Sequence, residues 1–152
     1  MSIAASTAPV PSSAIESLLG GKAALKKTPR SMLDWIDVVR NGLPASVIDS
    51  LSKAIELSQA ELGRAVGIPE RTLARRKREG VLSSEESTRI LRLARVVSRA
   101  SEVFEGREAA MAWLKASNAS LGGAAPLSLL DTDIGAETVL DTLGRIEHGV
   151  FA

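Results

Sequence analysis

The densest run of basic side chains falls at Arg71, Arg75, Arg76, Lys77 and Arg78. Pro69 precedes it, where proline favours the start of a helix. On such a helix Glu70, Arg71, Thr72, Arg75 and Arg78 face outward. A guanidinium can donate two parallel hydrogen bonds to a guanine edge, each such pair worth about 1–3 kcal/mol of base discrimination. Arg71 and Arg75, one turn apart, are therefore candidates for base contacts, and Thr72 and Arg78 for bases or phosphates. Ala74 between them is small enough to let the helix approach a surface closely. Gln59 opens another helix just upstream, and helix starts suit a phosphate. Downstream, Arg89, Arg92, Arg95 and Arg99 lie within about 120° of one another at ~100° per residue. That stripe either tracks a phosphate backbone or is a solvated face in which Glu85 pairs with Arg89.

Other chemistries have little to work with. The absence of Cys excludes a thiol nucleophile, a Cys-based zinc site and a disulfide scaffold. His148 is the single histidine, which excludes a His–His metal site or relay. No glycine-rich phosphate loop follows a strand. Glu85-Glu86 and Asp131/Asp133 are carboxylate pairs, but they open a helix and a turn, where the dipole alone attracts acidic residues. The expectation is a binding protein with no catalytic residue, no metal and no cofactor.

The elements that position these residues are helices. Hydrophobic residues make up 45% of the 152 positions but aromatics only 3%, a core chemistry that suits helix packing better than strands. Net charge +1 conceals a segregation: residues 53–99 hold 11 Lys and Arg against 6 Asp and Glu, residues 100–152 hold 3 against 8. A basic middle and an acidic end point to two different partners. Residues 1–30 are expected to form a flexible segment, although Ile15, Leu18 and Leu19 could open a short helix before Gly20-Gly21. Ser31 caps a helix carrying Leu33, Trp35, Ile36 and Val39. Pro44 then falls in a first turn before Val47, Ile48, Leu51 and Ile55. Ser58 with Glu61 forms a capping box. Ser83 or Ser84 starts a long helix with Ile90, Leu93, Ala94, Val97, Ala100 and Phe104 on one face. Nothing alternates with period two over a useful length, so the fold class is all-α. No apolar run approaches the ~20 residues of a membrane span. Residues 1–14 lack signal-peptide character, so a cytoplasmic location is expected.

Residues 59–77, QAELGRAVGIPERTLARRK, carry a tiny residue, Gly63, where two short helices would cross. Gly67 follows where the turn needs positive φ. The stretch resembles the Cro/cI-like (Xre) helix-turn-helix, against the alternative of an ordinary helical hairpin. One position departs: Arg76 stands where that motif has an apolar core residue. Either Arg76 snorkels across the core's edge or the second helix sits differently, and the latter would leave an interaction module without DNA binding.

Residues 100–152 add motifs in order: A-x-x-V-F-E-G at 100–106, A-x-x-W-L-K-A-S-N at 110–118, L-G-G-x-x-P-L-S-L-L at 121–130, T-D-I-G-A-E-T-V at 132–139 and L-G-R-I-E-H-G-V-F at 143–151. Together they resemble the Xre/MbcA/ParS toxin-binding domain. The resemblance implies residues 31–99 as a helix-turn-helix domain and 100–152 as a toxin-binding domain of a bacterial antitoxin. It further implies a partner toxin with a RES domain that destroys NAD⁺, repression of its own operon, and a homodimer on a two-fold operator, within a larger toxin–antitoxin assembly. Trp113, Leu114, Leu121, Pro126, Leu130, Val139 and Leu143 are expected in a small core, with Gly122-Gly123 and Gly135 in turns and Asn118 at a cap. Arg145, Glu147, His148, Val150 and Phe151 are the candidate toxin contacts: Val150 and Phe151 either enter a pocket on the toxin or dock on their own domain. The rival function is an autonomous dimeric repressor with no dedicated toxin.

Overall fold

A computed structural model describes residues 11–149. The chain forms α1 (Ser12–Leu18), α2 (Gly21–Leu25), α3 (Met32–Asn41), α4 (Ser46–Ala54), α5 (Gln59–Val66), α6 (Glu70–Glu79), α7 (Ser84–Phe104), α8 (Arg107–Lys115) and α9 (Asp133–Glu147). Two 3₁₀ turns, Ala119–Leu121 and Pro126–Leu129, connect α8 to α9. Among the described residues there is no strand, only one isolated bridge between Pro44 and Val81. Pro44 thus lies ahead of α4, whose N-cap is Ala45, and not in its first turn.

The caps explain where the helices begin. Ser31 accepts from the Asp34 amide at 3.2 Å. Ser58/Glu61 and Ser83/Glu86 form reciprocal capping boxes at the starts of α5 and α7, each satisfying amides that a helix start leaves orphaned. Asn118 accepts from the Ser120 amide, holding the first 3₁₀ turn.

Helix α7 is the axle. It packs against α1, α3, α5, α8 and α9. Its middle turns are buried nearly all round, Leu93, Ala94, Val96, Val97, Ser98, Arg99 and Ala100 included, as a central helix must be. One apolar cluster runs from Ile15 to Leu143. The core is therefore shared across residue 99, and α7 passes through it without a break.

The N-terminal segment departs from the flexible reading of residues 1–30. Ile15, Leu18, Leu19 and Leu25 are each at most 2% exposed. They cover α4 and α7, surface that would otherwise be wet. Ser12 fastens the start: its hydroxyl donates to the Pro29 carbonyl at 2.9 Å and accepts from Trp35 Nε1 at 2.8 Å. The short helix that Ile15, Leu18 and Leu19 could open is the one the fold adopts, with those three residues in the core.

Two other expectations shift. Trp113 is only half-buried and sits at the core's edge, its ring 5.5 Å from that of Phe104; Leu121 is half-buried beside the core, while Leu114, Pro126, Leu130, Val139 and Leu143 are buried. Gly135 is not a turn residue: it lies in the first turn of α9, where a Cβ would collide with the Leu129 carbonyl.

Candidate nucleic-acid interface

Helices α5 and α6 cross at Gly63, where an added Cβ would stand 2.6 Å from the Ile68 carbonyl. The turn between them uses Gly67 at φ 72°. Leu62, Val66, Ile68 and Leu73 are buried beneath the crossing. This fixes α6 with Leu73 inward and Glu70, Arg71, Ala74, Arg75 and Arg78 exposed; Thr72 is half-buried on the flank. Arg75 reaches only Glu79, 3.9 Å away in an exposed pair. Gln59 is the first residue of α5 and half-buried.

Arg76 resolves the departure from the helix-turn-helix pattern. Its Nε and Nη2 donate to the two carboxylate oxygens of Glu86 at 2.8 and 3.1 Å, and Nη1 donates to Glu79 at 2.8 Å. The guanidinium thus lies along the core's edge and ties α6 to the capping box of α7, a geometry that planar Arg supports and Lys does not. Burial pushes the Glu86 carboxyl up, but hydrogen bonds from Arg76 and the Ser83 amide outweigh it and hold the group below the ordinary glutamate value. Lys77, itself exposed, pairs with the exposed Asp49 on α4 at 2.8 Å. The basic run therefore divides: Arg76 and Lys77 pair with other helices of the fold, while Arg71, Arg75 and Arg78 face solvent without such a partner among the described residues.

The arginines along α7 are held differently from one another, and Arg89 and Arg92, the candidates for phosphate contacts, both make contacts within the fold. Arg89 donates to the Gly67 carbonyl at 2.7 Å, bracing the turn of the motif. Arg92 donates to the Leu130 carbonyl at 3.2 Å and pairs with Asp133. Arg99 is buried and paired with Glu147 and Glu102. Arg95 is exposed. These partners come from distant segments, so helical spacing alone could not reveal them.

At the far end, Arg145 and His148 are exposed on α9 and its C-cap. Glu147, also exposed, bonds back to Arg99 on α7, tying the end of α9 to the central helix. The Arg99 hydrogen bonds hold the Glu147 carboxyl below its ordinary value of 4.5. Val150 and Phe151 lie outside the described residues.

The Arg99–Glu147 pair predicts a pH dependence. A carboxylate with a depressed folded pKa stabilises the fold at pH above its unfolded value. That contribution is lost as pH falls through the folded value. Melting temperature should therefore fall as pH drops below about 4.5, the ordinary glutamate value. Glu147→Gln should melt lower at neutral pH and fall less steeply in acid; parallel thermal-melt curves for the two proteins would show that the pair adds nothing.

Among the described residues, no group of His, Asp and Glu is placed to hold a metal ion, and no helix is long and apolar enough to cross a membrane.

Comparison with known proteins agrees with this geometry. Residues 34–95 match the family model of the antitoxin Xre-like helix-turn-helix domain, and residues 99–149 that of the antitoxin Xre/MbcA/ParS C-terminal toxin-binding domain. The antitoxin Xre of Yersinia enterocolitica is 41% identical over 77% of this chain and 80% of its own length. That of Photorhabdus laumondii is 35% identical over 76% and 79%. A Sphingobium protein named as a Prs ADP-ribosylating antitoxin is 29% identical over 86% and 87%. Among solved structures, a chain of the M. tuberculosis MbcT–MbcA toxin–antitoxin complex superposes with a TM-score of 0.54 at 26% identity, covering 71% of this chain and 96% of that one. An outward basic helix on a glycine-crossed pair, followed by a matched toxin-binding domain, places the chain in the Xre family of antitoxins.

Proposed function

We propose that this antitoxin neutralises a RES-domain toxin that degrades NAD⁺, and represses its own operon by setting α6 of a homodimer into successive major grooves. The observation that carries the DNA half is the division of the basic run. Arg76 and Lys77 pair with other helices of the fold, and Arg71, Arg75 and Arg78 remain outward where a groove would receive them. Arg71 and Arg75 read bases, Thr72, Arg78 and Glu70 set the flanks, and Gln59 meets a phosphate at the start of α5. The toxin half rests on the matched domain at residues 99–149. There Arg145 and His148 form the exposed end of α9, leading into residues 150–152. On this reading the protein acts in the bacterial cytoplasm.

A second toxin chemistry is favoured by the Sphingobium relative, whose name refers to ADP-ribosylation. Both chemistries consume NAD⁺, so one experiment separates them. A RES-domain toxin offered as the partner is expressed alone and together with this chain, and NAD⁺ and protein-bound ADP-ribose are measured. Expected is NAD⁺ loss without protein labelling, reversed by co-expression. Labelled protein would select the transferase, and unchanged NAD⁺ would overturn both.

A further inference from the structure

The segment ahead of α3 carries four exposed cations, Lys22, Lys26, Lys27 and Arg30. It precedes both matched segments, which begin at residues 34 and 99. The fold gives it a fixed place. Leu25 is buried in the core, and the Ser46 hydroxyl at the start of α4 donates to the Ala24 carbonyl at 2.7 Å. Gly20 packs so closely on α4 that an added Cβ would stand 2.4 Å from the Ser50 hydroxyl oxygen. The neighbour of Ser46, Ala45, donates its amide to the Gly80 carbonyl just past α6 at 2.9 Å. Helix α2, the start of α4 and the C-terminal end of α6 therefore form one continuous edge.

The charge along that edge is positive. Lys22 and Lys26 lie one turn apart on α2 and are in no ion pair among the described residues. Arg78 is exposed at the end of α6. The acidic groups there, Asp49 and Glu79, are matched by Lys77 and Arg76 at 2.8 Å each. Lys26 also holds φ 64°, a conformation that glycine takes at lower cost. Lys27 and Arg30 lie differently: Lys27 lines a pocket with Asp34 and Asp37, and the Arg30 amide donates to the Asp34 carboxylate.

Helix α6 has ten residues, about 15 Å at 1.5 Å per residue, against a major groove ~12 Å wide. Set into the groove, a helix of that length ends at the flanking phosphate ridges. Gln59 answers the ridge on one side, and the edge built by α2 stands at the other. We infer that Lys22 and Lys26 contact DNA phosphates beyond the C-terminal end of α6, so that the ordered N-terminal segment is a rigid extension of the DNA-binding surface. The inference rests on the DNA reading proposed above and adds to it a contact that the helix-turn-helix does not make. Such contacts position the protein and carry no sequence information.

The test is the salt dependence of binding to two duplexes, one from the chain's own promoter and one of mixed sequence. Each phosphate contact contributes about 0.9 to the slope of log affinity against log salt. Lys22→Gln with Lys26→Gln should therefore lower the slope by roughly 1.8 on both duplexes. The preference between them, and the melting temperature, should stay unchanged, since both side chains are exposed. Lys27→Gln with Arg30→Gln removes the same charge beside Asp34 and Asp37 and should leave the slope as it was. An unchanged slope in the first variant overturns the contact. So does an equal fall in both variants, which would make the effect one of net charge alone. Arg71→Ala with Arg75→Ala separates the two readings. If that variant keeps the promoter preference while the first lysine variant loses slope, the α6 reading fails and the phosphate contact stands. The reverse pattern fails the contact alone, and a parent chain that binds neither duplex overturns both.

Discussion

Replacing Arg71 and Arg75 together with Ala should weaken binding to DNA from the chain's own promoter by roughly 30-fold to 10⁴-fold at fixed salt. The range follows from two bidentate base contacts at about 1–3 kcal/mol each, with 1.4 kcal/mol per tenfold change. The pair is chosen because the fold does not use it. Both side chains are exposed, and Arg75 has only the long contact to Glu79. Melting temperature and toxin neutralisation should therefore be unchanged. Arg76 would be the wrong target despite lying between them in sequence, because its loss strands Glu86 in a partly buried site. A binding curve measured by gel shift or anisotropy decides the matter. Unchanged affinity in the double variant would remove α6 as the recognition helix and leave the helix-turn-helix serving only as scaffold.

That choice of residues shows how far the chain could be read before its fold was known. Capping boxes, the glycine crossing and the long apolar stripe of α7 are local patterns, and each helix they mark is present. The outward face of α6 followed from the same periodicity. What stayed hidden depends on contacts between distant segments. Arg76 looked like a defect until Glu86 was placed ten residues on, and helical spacing could not show that Gly67, Leu130 and Glu147 come to meet Arg89, Arg92 and Arg99. Residues 12–25 were misjudged for a related reason. Their Ala- and Ser-rich composition resembles a linker, and only the surface offered by α4 and α7 makes Ile15, Leu19 and Leu25 worth burying. Leu33 and Ile36 are the converse, apolar at helical spacing yet left exposed among the described residues.

Truncation after His148 should weaken toxin neutralisation while sparing DNA binding. The cut is set by the structure: ending any earlier than Glu147 would remove the partner of Arg99 and confuse a binding loss with a folding loss. Ending at His148 keeps α9 entire, together with its bond to α7. What it removes is Gly149, which turns the chain at φ 72°, and then Val150, Phe151 and Ala152. An apolar aromatic anchor entering a partner's pocket contributes about 2 kcal/mol or more on truncation, so toxin affinity should fall by roughly 30-fold or more. Arg145→Ala in the full chain should weaken it further along the same surface, since Arg145 and His148 share the exposed face of α9. Titration of toxin by the two chains, with NAD⁺ consumption as the readout, measures the loss directly. If the truncated chain still silences the toxin at the parent concentration, the terminal segment is no plug. The toxin contacts would then have to lie on the body of residues 99–149, with Arg145 and His148 at their edge.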